Sequence, residues 1–309
     1  MAEGDLITGA WQIELQGVLM VANCQDDENL VVTQWPSGFG VPAGRRSMVA
    51  KPLRHGMFAG PQYMDTREFQ WAVMATGATW SELLDAVEAL GTAFSPVPDT
   101  TPGYTVPMIF TLDDPDVQYR VEGIPTRSAW GYQAAVMFPD DGTIRFADGA
   151  LCEFLATDPL IYENTVASAE ATLGTASGGL DMAPPGHDFP HAFGTATSGA
   201  AICENEGNAT TYPVITITAG VSGASGIRLL QDTTGEEWGI TLTMNAGETL
   251  VIDMARRTVL LEGTADRAQF VNRPDSVWFG LVPGTNAVTL QASGTGTTAL
   301  VEWRNARLM

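Results

Sequence analysis

Two histidines, His187 and His191, have a spacing that could support metal chemistry. They are four residues apart and lie beside Asp188, so a helix through this segment would place two imidazole ligands on one face. Pro190 lies between them and an Ala-Pro-Pro-Gly run precedes them, and both features oppose a helix. Because no further ligand cluster accompanies the pair, the sequence predicts no metal site here.

Two acidic pairs could supply the two carboxyl groups that glycoside hydrolysis requires. They are Asp113–Asp114 and Asp140–Asp141, and both lie in sequences typical of turns, LDDPD and PDDG. The sequence does not set the distance between the carboxyl groups, on which that chemistry depends. We interpret both pairs as solvated turn residues, so a polysaccharide-degrading enzyme is the weakest of the functions considered.

The remaining candidates lack the neighbours that catalysis needs. His55 has no nucleophile motif beside it, and the chain contains no GxSxG motif, no P-loop and no GxGxxG after a strand. Cys24, Cys152 and Cys203 are odd in number and form no CxxC pair, which favours buried thiols over disulfides or structural zinc. We therefore expect no catalytic, cofactor-binding or metal-binding residues and no enzymatic activity.

Composition and charge indicate a globular protein with many turns. The 309 residues are 45% hydrophobic and include 33 glycines and 18 prolines, but no run of apolar residues is long enough to span a membrane. Of the net charge of −21, residues 1–194 contribute most, with 25 acidic and 8 basic side chains. Such an acidic surface repels phosphates, which argues against nucleic-acid binding. The first residues, MAEGDLITGAWQ, show no secretory signal, so we expect synthesis in a cytoplasm.

The first half of the chain predicts β-structure with one helix. Apolar and polar residues alternate in Leu6–Val21, which predicts one strand with a single buried face. Glycines and prolines in 30–42 predict a turn or long loop. In TWSELLDAVEALGTAF, Thr79 and Glu82 have capping-box spacing and Gly91 is placed to end a helix over about 80–91. Its predicted apolar face comprises Leu83, Leu84, Val87 and Leu90.

The alternation pattern also predicts two domains. Further strands are expected at 105–112, 117–124, 128–138 and 151–156, which completes a β-rich N-terminal domain over residues 1–163. Residues 164–194, rich in Ala, Gly, Ser, Thr and Pro, predict a linker. Residues 195–309 contain short alternating strands such as EEWGITLTM, and a hairpin is expected in ETLVIDMARRTVLLEG. This pattern favours a C-terminal β-sandwich or jelly roll.

Three motifs follow one another in the C-terminal half: NEGNATTYPVITITAG, NAGETLVIDMARRTVLLEG and SVWFGLVPGTNAVTLQASG. In type and order they resemble the motifs of the siphovirus distal tail protein family. TWSELLDAVEALGTAFSP is similar to the single helix of that family, and FLATDPLIYE to the end of its N-terminal domain. The likeness covers nearly the whole chain, strongly in 203–305 and loosely before Phe154, with the weakest match in 30–64.

The resemblance implies a structural virion protein, a minor tail protein at the tip of a long, non-contractile phage tail. In that family the N-terminal domain builds a hexameric ring, and a galectin- or carbohydrate-module-like sandwich projects outward. The implied partners are further copies of the chain, the tail tube protein, the tape-measure protein and tail-tip hub or receptor-binding proteins. Neither a membrane nor a specific nucleic acid is implied, and assembly would occur in the host bacterial cytoplasm. Within a ring, the acidic N-terminal domain predicts a lumen that does not retain DNA.

The motif SVWFGLVPGTNAVTLQASG, Ser276–Gly294, predicts a strand, a turn and a returning strand. Gly247 and Gly284 are expected in turns with positive φ, and Asn286 is expected to bond the turn backbone. Leu281 and Trp278 are predicted to anchor the core. The alternative function is a module that contacts host cell-wall glycan through Trp238, Trp278 or Trp303, although the alternation places these tryptophans in the core first.

Overall fold

A computed structural model describes residues 11–22, 29–52, 54–55, 57–95, 104–112, 114, 116–130, 136–137, 144–146, 149–173 and 199–309. The chain divides into two compact units. The first comprises Met1–Asn164 with Arg307–Met309, and the second comprises Thr165–Ala306. Each unit has its own cluster of buried apolar side chains, so each is described separately.

The described residues of the first unit are β-rich with one helix, as predicted. Its elements are β1 (Gln12–Leu15), β2 (Val18–Val21), β3 (Leu30–Ser37), β4 (Gly44–Ala50), β5 (Met57–Met64), β6 (Arg67–Gly77), α1 (Trp80–Ala93), β7 (Val106–Thr111), β8 (Gln118–Trp130), β9 (Val136–Met137), β10 (Ile144–Phe146), β11 (Ala150–Ala156) and β12 (Ile161–Glu163). Seven strands close into a barrel in the order β8-β7-β1-β2-β3-β6-β11, because β11 pairs with both β6 and β8. Closure leaves these strands without free edges.

The described part of the predicted opening strand Leu6–Val21 is two strands joined by a tight turn, and residues 6–10 lie outside the described residues. Gln16 and Gly17 both have positive φ, 51° and 81°, and the chain reverses so that Leu15 lies opposite Val18. A non-glycine residue at positive φ is not evident from an alternating pattern, so the sequence does not reveal the turn. The prediction of one buried face is also wrong, because Glu14 is buried and its Oε1 accepts a hydrogen bond from the Gly17 N–H at 2.5 Å.

The helix α1 begins as predicted and ends later. Thr79 Oγ1 accepts from the Glu82 N–H at 3.3 Å, and Glu82 Oε2 accepts from the Ala78 N–H at 2.8 Å. Gly91 does not end the helix, which continues to Ala93 because the buried stripe continues there. The prediction of Leu84 on the buried face is wrong, since Leu84 is 52% exposed. The buried residues of the helix are Leu83, Ala86, Leu90 and Ala93.

The structure corrects three further predictions for the first unit. The stretch 30–42, expected to be a loop, contains the eight-residue strand β3. The strands expected at 117–124 and 128–138 are largely one strand, β8. Strands β4 and β5, which the sequence does not predict, pair in a two-stranded sheet of their own. The strands expected at 105–112 and 151–156 are confirmed as β7 and β11.

The second unit is a sandwich of two antiparallel sheets. Its strands are β13 (Ala167–Thr172), β14 (Ala201–Asn205), β15 (Val214–Thr218), β16 (Ala224–Gln231), β17 (Glu236–Met244), β18 (Thr249–Asp253), β19 (Thr258–Leu261), β20 (Ala265–Asp266), β21 (Gly284–Ser293) and β22 (Thr298–Trp303), with a short 3₁₀ turn at Ala268–Phe270. One sheet has the order β13-β22-β15-β18-β19-β20, and the other has the order β14-β21-β16-β17. Apolar residues of both sheets share one core, which confirms the predicted β-sandwich. The predicted hairpin is confirmed as β18 and β19.

The chain leaves the first unit after Asn164 and returns to it at its end. Strand β13 lies within residues 164–194, the stretch that the sequence predicts as a linker, and it pairs with β22. The last strand, β23 (Ala306–Arg307), pairs with β12. There Arg307 Nε donates to Glu163 Oε1 at 3.0 Å, and Arg67 Nη1 donates to the Met309 main-chain oxygen at 2.7 Å. These contacts anchor the final residues to the first unit.

Candidate interaction surfaces

Among the described residues, the structure does not bring together the side chains that the sequence offers for catalysis or metal binding. Asp114 is exposed in a turn, and His55 is exposed in the connection between β4 and β5. His187, His191, Asp113, Asp140, Asp141 and Cys24 lie outside the described residues. Within the described residues there is no group of three or more His, Cys, Asp or Glu side chains that could hold a metal ion. None of the helices described there is long and apolar enough to cross a membrane.

Cys152 and Cys203 are buried free thiols, one in each unit. Desolvation by burial raises the pKa of each thiol to about 12. The two groups therefore remain protonated at neutral pH and behave as small apolar core residues. This finding confirms the expectation for these two cysteines.

A cavity of about 210 Å³ lies on the barrel beside β6 and β11, where Glu68, Phe69 and Glu153 are among its lining residues. Its volume is below the roughly 300–1,000 Å³ that is usual for small-molecule sites. A pocket of this size and lining does not indicate a substrate class.

The tryptophans proposed for glycan contact are mainly core residues. Trp238 is fully buried and Trp303 is 6% exposed, with its Nε1 donating to the Glu204 carbonyl at 3.1 Å. Trp278 is half-buried, and its ring lies 5.8 Å from that of Trp238 in an edge contact. Side chains packed in this way do not offer an open ring face to a sugar.

The Ser276–Gly294 segment contains a turn whose backbone groups are hydrogen-bonded by a side chain of the same segment. Gly284 has φ of 94°, as expected, and Gly247 has φ of 81° in the turn before β18. Asn286, fully buried, accepts from the Val282 N–H at 3.0 Å and donates to the Val282 and Gly284 carbonyls at 2.7 and 2.8 Å. The predicted role of Asn286 is therefore confirmed.

The first half of the same segment is not a regular strand. Residues 276–280 lie outside the named strands, and Leu281 makes an isolated antiparallel bridge to Thr211. Strand β21 pairs with β14 and β16, so the expected return onto the preceding residues is wrong. Leu281 is nevertheless buried, and Trp278 packs against the core as predicted. The segment closes the sandwich through contacts with other strands.

The arm, defined as β4, β5 and their connection, residues 44–64, has the opposite character. Its described strand residues are almost all exposed, including Met48, Val49, Met57, Phe58 and Tyr63. Lys51 Nζ lies 5.4 Å above the centre of the Phe58 ring. A paired ribbon with this much exposed apolar surface is a candidate site for a macromolecular partner.

The outer face of α1 is a second candidate surface. Trp80 and Leu84, one turn apart, are 50% and 52% exposed. Asp85 and Glu88 lie near them on the helix, and the last turn carries no basic residue. This side of the helix therefore combines apolar area with carboxylates.

Comparison with known proteins identifies relatives of the fold. Residues 206–306 match the family model described as "Siphovirus-type tail component, C-terminal domain". No curated protein sequence matches the chain. The crystal structure of the Dit protein of phage SPP1 is similar with a TM-score of 0.58 and 15% identity, over 94% of this chain and 98% of that chain. That protein is described as "a paradigm of hub adsorption apparatus in Gram-positive infecting phages".

A chain of the phage P2 baseplate, in its activated conformation with calcium, aligns over 95% of this chain and 97% of its own. Its identity is 11% and its TM-score is 0.49. The likeness to the SPP1 protein shows a shared fold, with both units included in the alignment.

Proposed function

We propose, on the premise that this chain is a tail component of the siphovirus type, that it is the distal tail adaptor of a long-tailed phage. The proposed role is that of a structural protein of the virion tail tip. In the proposed role it forms a homohexameric ring that joins the tail tube to the tail-tip, host-recognition apparatus. The observation that carries the proposal is the combination of the family's C-terminal domain with a fold shared over 94% of the chain with the SPP1 Dit protein.

The two units suit two different structural roles within such an adaptor. A closed barrel without free edges is a rigid building block, and a ring needs rigid blocks to repeat one contact. We infer that the first unit builds the ring. The second unit would then be free to present a surface outward. The tube protein, the tape-measure protein and hub or receptor-binding proteins are the partners that this arrangement requires.

The acidic charge of the first half supports a further element of the proposal. Residues 1–194 carry 25 acidic and 8 basic side chains. If carboxylates line the ring, the negative potential would let DNA pass without adhering. A structure of the ring with these carboxylates on its outer rim would remove this element.

The experiment that tests the proposed function is native mass spectrometry of the full chain across a hundredfold range of concentration. We expect a species of six times the 32.8 kDa subunit mass, together with rings in negative-stain images. A second arm of the experiment labels intact virions with gold-conjugated antibody to the chain, and we expect label at the tail tip. Monomers at every concentration, together with label absent from the tip, would contradict the proposal.

A further inference from the structure

The arm differs from the rest of the chain in charge. Residues 29–64 contain no acidic residue, while the arm holds four of the fifteen basic residues of the chain, Arg45, Arg46, Lys51 and Arg54. All 36 acidic residues and 11 basic residues lie elsewhere. An exposed, positively charged hairpin is therefore part of a strongly acidic protein, and its electrostatic complement is present on the chain itself.

The arm is also apolar on both faces. Val49 lies opposite Phe58 in the register, so these two side chains are on one face. Met48 and Met57 are on the other face, because successive residues of a strand alternate. All four side chains are at least 49% exposed. An isolated two-stranded ribbon is marginally stable in water, so burial of both faces against a partner would stabilise it.

The outer face of α1 is chemically complementary to the arm. Its exposed pair Trp80 and Leu84 offers apolar area, and the neighbouring Asp85 and Glu88 offer negative charge. Among the described residues, no ion pair involves the basic side chains of the arm or the carboxylates of this helix. Both sets of charges are thus available to an intermolecular contact.

We propose that the arm of one copy docks on the outer face of α1 of a neighbouring copy. This inference rests on the proposed ring and names the contact that forms it. The arm and the helix are different surfaces, so each copy contacts one neighbour through its arm and the other neighbour through its helix. Such a head-to-tail contact generates a ring when the rotation between copies closes.

Two other occupants share part of the chemistry of the arm. Duplex DNA and anionic membranes both attract basic side chains, and exposed aromatics can accompany either. A second copy fits better because it supplies apolar area as well as carboxylates. The other two occupants are therefore outcomes of the test.

The test is a charge exchange between full-length copies. The arm variant carries Arg45→Glu, Arg46→Glu, Lys51→Glu and Arg54→Glu. The helix variant carries Asp85→Lys and Glu88→Lys. We expect sedimentation velocity to show self-association weakened at least about tenfold in each variant, since like charges then face each other.

An equimolar mixture of the two variants provides the decisive readout. In the mixture a reversed arm meets a reversed helix and an original arm meets an original helix, so alternating assembly should recover. A variant that has merely misfolded cannot be rescued in this way. The matched control is Arg228→Glu with Arg256→Glu, two exposed positions of the second unit, and we expect unchanged assembly.

The outcomes separate this inference from the proposed function. Rings that persist unchanged in both variants would overturn the arm-to-helix contact and leave the adaptor proposal intact. A wild-type chain that never assembles would count against the adaptor proposal itself. Binding of a 30-base-pair duplex or phosphatidylglycerol vesicles at physiological salt, lost in the arm variant while self-association is unchanged, would also overturn the inference.

Discussion

The Ser276–Gly294 segment and the arm both contain aromatic, aliphatic and turn residues, but their contacts differ. In the segment, Phe279 and Leu281 are buried and the Asn286 amide bonds the turn. In the arm, Phe58 and Val49 are exposed, and β4 and β5 pair only with each other among the described strands. The first region is completed within its own chain. The second region has the features expected of a surface completed by another molecule.

The largest expected effect is a difference in unfolding free energy between two Phe→Ala substitutions, one in each region. Phe279 is 1% exposed and Phe58 is 58% exposed. We expect Phe279→Ala to lower the free energy of unfolding of the second unit by about 3–5 kcal/mol, because it leaves a cavity in the core. Phe58→Ala should change stability by less than about 0.5 kcal/mol. Urea denaturation of the full chain at a dilution where it is monomeric measures both, so loss of an intermolecular contact of Phe58 does not enter the comparison. Equal losses would contradict the distinction between the regions.

The next effect concerns polar groups. Asn286→Ala removes the side-chain acceptor of the Val282 N–H and the nearer acceptor of the buried Gln231 amide, which keeps only the Gly280 carbonyl at 3.5 Å. We therefore expect a loss of about 1–3 kcal/mol in unfolding free energy. Gln62→Ala, at an exposed position of the arm, is the control and should be within about 0.5 kcal/mol of the parent chain. The same denaturation experiment decides the matter. A neutral Asn286→Ala would show that the turn does not depend on this side chain.

A smaller effect is expected at the glycine of that turn. Gly284 has φ of 94°, and a Cβ atom added there would meet open space, so Gly284→Ala introduces backbone strain without a clash. We expect a loss of about 1 kcal/mol in unfolding free energy. Gly91 lies in α1 with similarly open space and no positive φ, so Gly91→Ala should instead stabilise the chain by about 0.5–1 kcal/mol. The opposite signs, measured by thermal and urea unfolding, test the assignment of strain to φ.

The smallest expected effect concerns the reactivity of the two buried cysteine thiols. In a Cys24→Ser background, Cys152 and Cys203 have thiol pKa values of about 12, so a thiol-specific reagent at pH 8 should label them only after unfolding. Because these folded-state pKa values exceed the unfolded value of about 8.5, the associated stability is complete below that value. It decreases as the pH rises from there towards 12. Rapid labelling of the native chain would contradict the buried assignment.

The sequence is informative where a pattern and its environment agree. Alternation around Trp238 predicts a strand with one buried face, and Thr79 with Glu82 predicts the start of α1. Both patterns reflect contacts that these residues make within their own chain. The C-terminal motifs are similarly sufficient for the sandwich, because turns such as that at Gly284 have specific residue requirements.

Two features that the sequence does not predict each have their own physical reason. The turn at Gln16 uses a left-handed conformation that a glutamine does not indicate, so the pattern predicts one strand where the structure has a hairpin. The arm has apolar residues on both faces, so it shows no alternation between core and solvent. Its most informative signal is the absence of acidic residues in 29–64, which becomes meaningful once those residues are known to include an exposed ribbon.

Electron cryo-microscopy of the virion tail tip tests the central claim most directly. The account predicts a ring of six copies of this chain where the tail tube meets the tip apparatus, with the first unit in the ring and the second unit outside it. Density for this chain elsewhere in the virion, or a tip in which it forms no ring, would contradict the account.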